Sequence, residues 1–297
     1  MKKFILIDGN SIFHRAFYAI PPLTDSEGNP TNAVYGFLSM LFNLIEVQKP
    51  DYLGIAFDRK EKTFRHEEYK DYKATRTKGP DELYAQMPLV KELLQLLNIA
   101  AFEKAGYEAD DLLGTLSSQA DKIGGLHTLI VTGDRDALQL ITETTHVVMP
   151  VKGLSTTEVF GPNEVERKYG LSPAQIPDLK GLQGDSSDNI KGVKGIGAKT
   201  ALDLLQRFGS IEDLYKNIGA LHGAVRKKLE DGYEDAFFSK RLATIKIDVP
   251  EKLDLDSCGL GGHKVADIKE KFFNLGFKSL IPKFEKFDKN YSQQALF

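Results

Sequence analysis

The chain has 297 residues, 41% of them hydrophobic, and a formal net charge of −3, enough material to bury a full core in two lobes. Its one cysteine, Cys258, excludes an intramolecular disulfide and, without Cys or His partners at ligand spacing, speaks against a zinc site. The apolar run after the N-terminal lysines stops at Asp8, too short for a signal-peptide core, and no stretch approaches a membrane span, so a reducing cytoplasm is the expected setting.

The first predicted element is the run FILID (4–8), and two similar runs follow, YLGIAFD (52–58) and TLIVTGD (128–134). Each reads as a buried strand with aspartate (Asp8, Asp58, Asp134) at its carboxyl end. Helical patterns separate the runs. Together they predict an α/β fold with a central, mostly parallel sheet covered on both faces. Open α/β sheets bind ligands at that strand end.

Further acids follow in chain order. YEADDLLGTL (107–116) reads as the first turns of a helix, with Glu108 and Asp111 on one face at i and i+3. Asp110 or Asp111 in that turn also has a structural alternative, because acids there complement the helix dipole. TGDRD adds Asp136 on a loop leaving a strand, and GDSSDN (184–189) places Asp185 and Asp188 on a turn or short helix. Two carboxylates about 4 Å apart repel by about 4 kcal/mol at an effective dielectric near 20, and a domain's stability is only about 5–15 kcal/mol. Nine acids brought to one place must therefore take up protons or hold cations. An all-oxygen set suits Mg²⁺ or Mn²⁺, and two or more ions of this kind suit phosphodiester hydrolysis. Mg²⁺ takes few protein ligands, so some of the nine act through water.

Basic residues are segregated from these acids. Residues 59–78 hold eight Lys or Arg against four acids, and 191–228 hold eight against three, so a negative net charge is compatible with a nucleic-acid partner. The first stretch mixes Arg65, Lys73 and Arg76 with Phe64, Tyr69 and Tyr72, the pattern of phosphate contact with base stacking. Lys73 and Arg76 are placed to neutralise a scissile phosphate. In GVKGIGAKT (192–200), Gly192, Lys194, Gly195, Gly197, Lys199 and Thr200 fail the phosphate-loop pattern by one residue. What remains is a glycine hairpin entering a helix, whose amides can receive a backbone phosphate.

The segments LIDGNSIFHRAFYA, AVYGF, AFD, FRHEEYKDYKATR, YEADD, TGDRD, GLQGDSSDN and GVKGIGAKTA together resemble the bacterial 5′ nuclease family, which includes the N-terminal nuclease domain of DNA polymerase I. The resemblance spans about residues 3–284, and all nine family acids are filled. It implies a PIN-like nuclease core at 1–175, a mobile helical arch at about 59–90, and a helical helix-hairpin-helix lobe at 176–284. It also implies a divalent-metal-dependent 5′ to 3′ exonuclease and 5′ flap endonuclease of replication and repair, a monomer working at the nucleoid. Arg15, Lys73 and Arg76 are expected at the scissile phosphate, Tyr72 near the displaced base, Arg65 among the DNA contacts, and K⁺ at the glycine hairpin. Lys191 departs from the proline common at that position. The alternatives are a non-catalytic structure-specific DNA-binding protein and an RNA-processing nuclease.

Beyond about 284 the resemblance fades into a polar tail, 285–297, expected to be flexible. It closes on QQALF, which resembles a sliding-clamp-binding pentapeptide through Gln293, Leu296 and Phe297, and two apolar residues at a free end call for a partner.

Overall fold

In the computed structural model, which describes residues 1–152 and 156–292, the FILID run forms the second half of β1 (Lys2–Asp8), buried from Phe4 onward. Its side chains alternate between two cores: Ile5 and Ile7 join one apolar cluster, Phe4 and Leu6 another. Period-two alternation with apolar residues on both sides is what a sheet covered on both faces requires.

The other strands are β2 (Tyr52–Ala56), β3 (Ala100–Phe102), β4 (Leu126–Val131), β5 (Thr145–Lys152) and β6 (Thr156–Phe160). Among the described residues they form one sheet in the order β3-β2-β1-β4-β5-β6, parallel except for the β5–β6 pair. The chain moves outward from β1 through β2 to β3, then crosses back to β4 on the other side. The reversal between β1 and β4 opens a crevice at the carboxyl edge, with Asp8 and Asp134 on its two lips.

α1 (Gly9–Ala19) starts directly on Asp8, which caps it by accepting the Ser11 amide at 2.9 Å. With α2 (Asn32–Gln48) it covers the Ile5 face through residues such as Phe13, Phe37 and Leu41. Between β2 and β3 lie α3 (Phe64–Glu68), α4 (Asp81–Ala85) and α5 (Met87–Leu96). α6 (Ala109–Ile123) covers the opposite face with Leu112, Leu113, Leu116 and Ala120, spaced at helical period.

The expected helical arch takes a different form. α3 and α4 have five residues each, and the chain between them folds in turns in which Lys73 has a φ of +55°. A left-handed residue cannot continue a right-handed helix, so the basic segment is a folded strap laid over the crevice.

α7 (Pro162–Tyr169), α8 (Ile176–Gln183), α9 (Ala198–Phe208), α10 (Ile211–Lys216), α11 (Gly223–Asp231) and α12 (Tyr233–Ala243) follow. From α8 to α12 they surround a third core that includes Leu182, Val193, Ile196, Leu205 and Leu229. Gly192, at φ +62°, lies so near the α8 end that a Cβ would come within 2.2 Å of the Gly184 amide nitrogen, so only glycine fits.

α13 (Val265–Asn274) and α14 (Ile281–Tyr291) then return to the first core, where Phe272, Phe284 and Phe287 pack around Phe42 and Tyr291 packs on Phe287. This differs from the expected division, in which a helical lobe ended at 284 and a flexible tail began at 285. Phe284, Phe287 and Tyr291 form one helical stripe, obscured in sequence by the lysines and acids between them. Gln293, Leu296 and Phe297 lie outside the described residues. Among the described residues, no helix is long and apolar enough to cross a membrane.

Candidate active site

The crevice opens into a cleft of about 1180 Å³, lined by α1, by Lys73 and Arg76 of the strap, by the first turn of α6, and by the 133–136 turn. Asp8, Asp58, Glu108, Asp110, Asp134 and Asp136 all line it. Asp185 and Asp188 flank it through the 185–190 turn, closed by reciprocal backbone bonds of 2.7 Å between Asp185 and Ile190. Segments more than a hundred residues apart thus converge at one strand edge.

The nine acids divide into two groups by charge environment. Five have basic partners: Glu108 with Lys73 (2.6 Å) and Arg65 (3.0 Å), Asp111 with Arg65 (2.8 Å), Asp188 with Arg76 (2.5 Å), and both Asp136 (2.6 Å) and Asp185 with Lys180. Asp8, Asp58, Asp110 and Asp134 have no ion-pair partner among the described residues. Burial, with repulsion from Asp58 and Asp134, pushes Asp8 up to about 6 despite bonds from the Ser11 amide and Thr132 hydroxyl. Burial also raises Asp58, with Glu108 adding repulsion, and raises Asp110 well above the usual range, with Asp134 and Asp8 adding to it. Asp136 rises to about 6 from burial and Asp134, which Lys180 only partly offsets. Such an array has an unmet demand for positive charge.

That demand fits divalent cations bound by oxygen ligands. Among the described residues, no three His, Cys, Asp or Glu side chains approach closely enough to enclose an ion. The paired acids are instead turned toward Arg65, Lys73, Arg76 and Lys180.

Several expected roles change. Asp111 is fully buried, and its oxygens accept four bonds, from Arg65 Nη1 and Nη2 and from the Glu108 and Lys246 amides, at 2.8–3.1 Å. It has no free lone-pair site for a metal and serves as a brace. Arg65, expected at DNA, is buried at 2% exposure because Asp111 and Glu108 hold its guanidinium inside. Tyr72, expected near a displaced base, is buried too, its hydroxyl shared between Glu108 (3.0 Å) and Asp188 (3.1 Å).

Lys73 and Arg76 do reach the cleft, and Lys73 is held in its left-handed conformation by its amide bond to the Asp188 carbonyl (3.0 Å). Burial alone would lower the Lys73 ammonium, but Glu108 and then Asp188 outweigh it and raise it. Arg15 lines the cleft with Nη2 on the Pro150 carbonyl at 3.3 Å.

Other contributors are not visible in the sequence pattern. Lys180, in α8, bridges Asp136 and Asp185. Asn10 Oδ1 accepts the Asp58 amide (2.9 Å), Ser11 Oγ accepts the Gly133 amide (3.0 Å), and Thr132 donates to Asp8 (2.8 Å) while accepting the Asp134 amide (3.0 Å). The one signal available was that Asn10 and Ser11 directly follow the β1 aspartate.

None of the glycine-hairpin residues lines the cleft, although Gly192 abuts Gly184 beside Asp185. Gly197 caps α9 without a side chain, which leaves the amides of Lys199 and Thr200 in an uncapped first turn. The Gly195 carbonyl accepts Lys228 Nζ at 3.0 Å.

Fold and site together define a mostly parallel-sheet protein with a cation-seeking carboxylate cleft at its strand edge and an appended helical lobe. Residues 3–170 match the family described as "5'-3' exonuclease, N-terminal resolvase-like domain" and 171–266 that described as "5'-3' exonuclease, C-terminal SAM fold". The chain belongs to the 5′-3′ exonuclease family. It is 44% identical to DNA polymerase I of Bacillus subtilis (strain 168) over 281 residues, 94% of this chain and 32% of the relative. It is 38% identical to the 5′-3′ exonuclease of Aquifex aeolicus over 297 residues, all of both. The chain thus spans about a third of the polymerases it matches. T5 5′-exonuclease with bound zinc shares the fold (TM-score 0.66, 22% identity, 82% of this chain and 89% of the other). So does flap endonuclease-1 from Methanococcus jannaschii (TM-score 0.62, 19% identity, 99% and 93%).

Proposed function

We propose that the protein is a divalent-metal-dependent 5′ to 3′ exonuclease and structure-specific 5′ flap endonuclease acting on DNA. The observation that carries this reading is the set of four cleft carboxylates without a cation partner, bordered by lysine and arginine side chains. Asp8, Asp58, Asp110 and Asp134 are the residues to hold the ions, with Glu108, Asp136, Asp185 and Asp188 joining directly or through water once they leave their basic partners. Bound there, Mg²⁺ or Mn²⁺ supplies an activated water and stabilises the leaving oxygen. Lys73 and Arg76, released from Glu108 and Asp188, then face the phosphate and offset the charge that develops on it. Arg15, steadied by the Pro150 carbonyl, holds the neighbouring phosphate.

The uncapped α9 turn and glycine hairpin take the duplex backbone without reading sequence, and K⁺ would take the Gly195 carbonyl by displacing the Lys228 ammonium. Clamp binding through Gln293, Leu296 and Phe297 rests on the sequence alone.

Single-turnover cleavage of a 5′-labelled flap duplex tests the assignment. Mg²⁺-dependent cutting by the wild type, abolished by Asp134→Ala, is expected; tight binding without cutting in Mg²⁺ or Mn²⁺ would make the protein a non-catalytic DNA-structure binder. Lys73→Ala should slow the cleavage step about a hundredfold, the effect of removing one donor to developing charge, while changing DNA affinity much less. Equal losses in both would remove Lys73 from the transition state.

A further inference from the structure

The face of α1 that lines the cleft carries Ser11, His14, Arg15 and Tyr18, and the last of these takes no part in the acid cluster. Tyr18 is 68% exposed, a large aromatic ring presented to water on the wall of a polar cleft. The helix end that carries it is fixed. The Tyr18 ring sits edge-on to Phe17 at 5.2 Å, and Phe17 packs against the first core. Asn32 Nδ2 donates to the Phe17 and Ile20 carbonyls at 3.0 and 3.2 Å, fixing the end of α1. α2 comes so near that a Cβ on Gly36 would lie 2.9 Å from Ala16 Cβ.

We propose that Tyr18 is a stacking platform for an unpaired nucleobase of the bound strand, a role that rests on the nuclease reading above. The helix rises about 1.5 Å per residue, which puts Tyr18 about 15 Å along α1 from Asp8. For a strand running along α1 at about 3.4 Å per stacked nucleotide, the base it meets is about four nucleotides from the reacting phosphate. Arg15, one turn nearer the acids, faces a phosphate between the two. Every base offers a π-face, so such a platform positions the strand whatever its sequence, and it fixes how far from the junction the cut falls.

The test is binding of a 5′-flap duplex to the full chain in EDTA, read by fluorescence anisotropy for wild type, Tyr18→Ala and Tyr18→Phe. The titrations are repeated with a single abasic residue moved through about six positions on either side of the cut. Tyr18→Ala should weaken binding about tenfold, Tyr18→Phe should restore it, and one abasic position should weaken the wild type without further weakening Tyr18→Ala. Unchanged affinity in Tyr18→Ala, a phenylalanine variant as weak as alanine, or abasic effects equal in both proteins at every position would overturn the proposal. Because the readout needs no metal and no cleavage, failure of stacking and failure of the nuclease assignment are separate results.

Discussion

Asp110→Asn is expected to lower Mg²⁺-dependent cleavage about a thousandfold or more while making the metal-free protein more stable at pH 8. The activity loss follows from the several kcal/mol of charge stabilisation that a metal site contributes, at about 1.4 kcal/mol per tenfold. The gain in stability follows from the same side chain. Asp110 has no ion-pair partner among the described residues, and burial, with Asp134 and Asp8, holds its carboxyl well above the usual range. A carboxyl whose folded value exceeds its unfolded one penalises the folded state once pH rises above both. The variant's advantage should thus be full at pH 8, shrink as pH falls through the folded value, and vanish below the unfolded value near 3.8. Saturating Mg²⁺ should reverse the order, because ion binding then stabilises the wild type more than a variant that has lost one ligand. Thermal melts in EDTA at several pH values, repeated with Mg²⁺, read all of this. A variant less stable than wild type in EDTA at pH 8 would mean that the charge on Asp110 is already compensated and the cleft has no need of cations.

Why the sheet was legible while the division of the acids was not is a question of range. The runs ending in Asp8, Asp58 and Asp134 are continuous, β-rich and short, so strand identity and the strand end at which the acids gather follow from local pattern. YEADD marked the start of α6 through its first-turn acids, which complement the helix dipole, and there the Asp111 carboxylate accepts the Glu108 amide at 3.1 Å. No local rule distinguishes Arg65 from Lys73, eight positions on in the same basic run. Their opposite fates depend on the left-handed turn at Lys73 and on carbonyls of Leu242 and Thr244 contributed from the end of α12. Lys180 is one more lysine in a helix until the 185–190 turn folds back onto it. The Phe284–Tyr291 stripe was hidden by its own polar face, and it becomes legible only when Phe42 and Phe272 are known to leave room for it.

Arg65→Ala should be the most destabilising single change in this set. All five guanidinium N–H groups are used: Nε on the Leu242 carbonyl, Nη1 on Glu108 and Asp111, and Nη2 on Asp111 and the Thr244 carbonyl, at 2.8–3.0 Å. Removing one partner of a buried ion pair costs about 3–5 kcal/mol, because the other charge stays buried and unpaired, and for a protein near this size that lowers Tm by roughly 10 °C. Asp111 would then add to the like-charge strain already borne by the cleft. Arg65→Lys should recover only part of the loss, since an ammonium has three donors and no fork to match the carboxylate. A double change, Arg65→Met with Asp111→Leu, should be closer to wild type in stability than Arg65→Ala, because it removes both charges instead of stranding one. Differential scanning calorimetry of the three variants, with DNA affinity measured against salt, separates this from a surface role. A DNA-contacting Arg65 would leave Tm unchanged and flatten the salt dependence of binding by about one phosphate contact. The buried network demands the opposite: a large drop in Tm, with a salt slope that stays the same in whatever fraction of the protein remains folded.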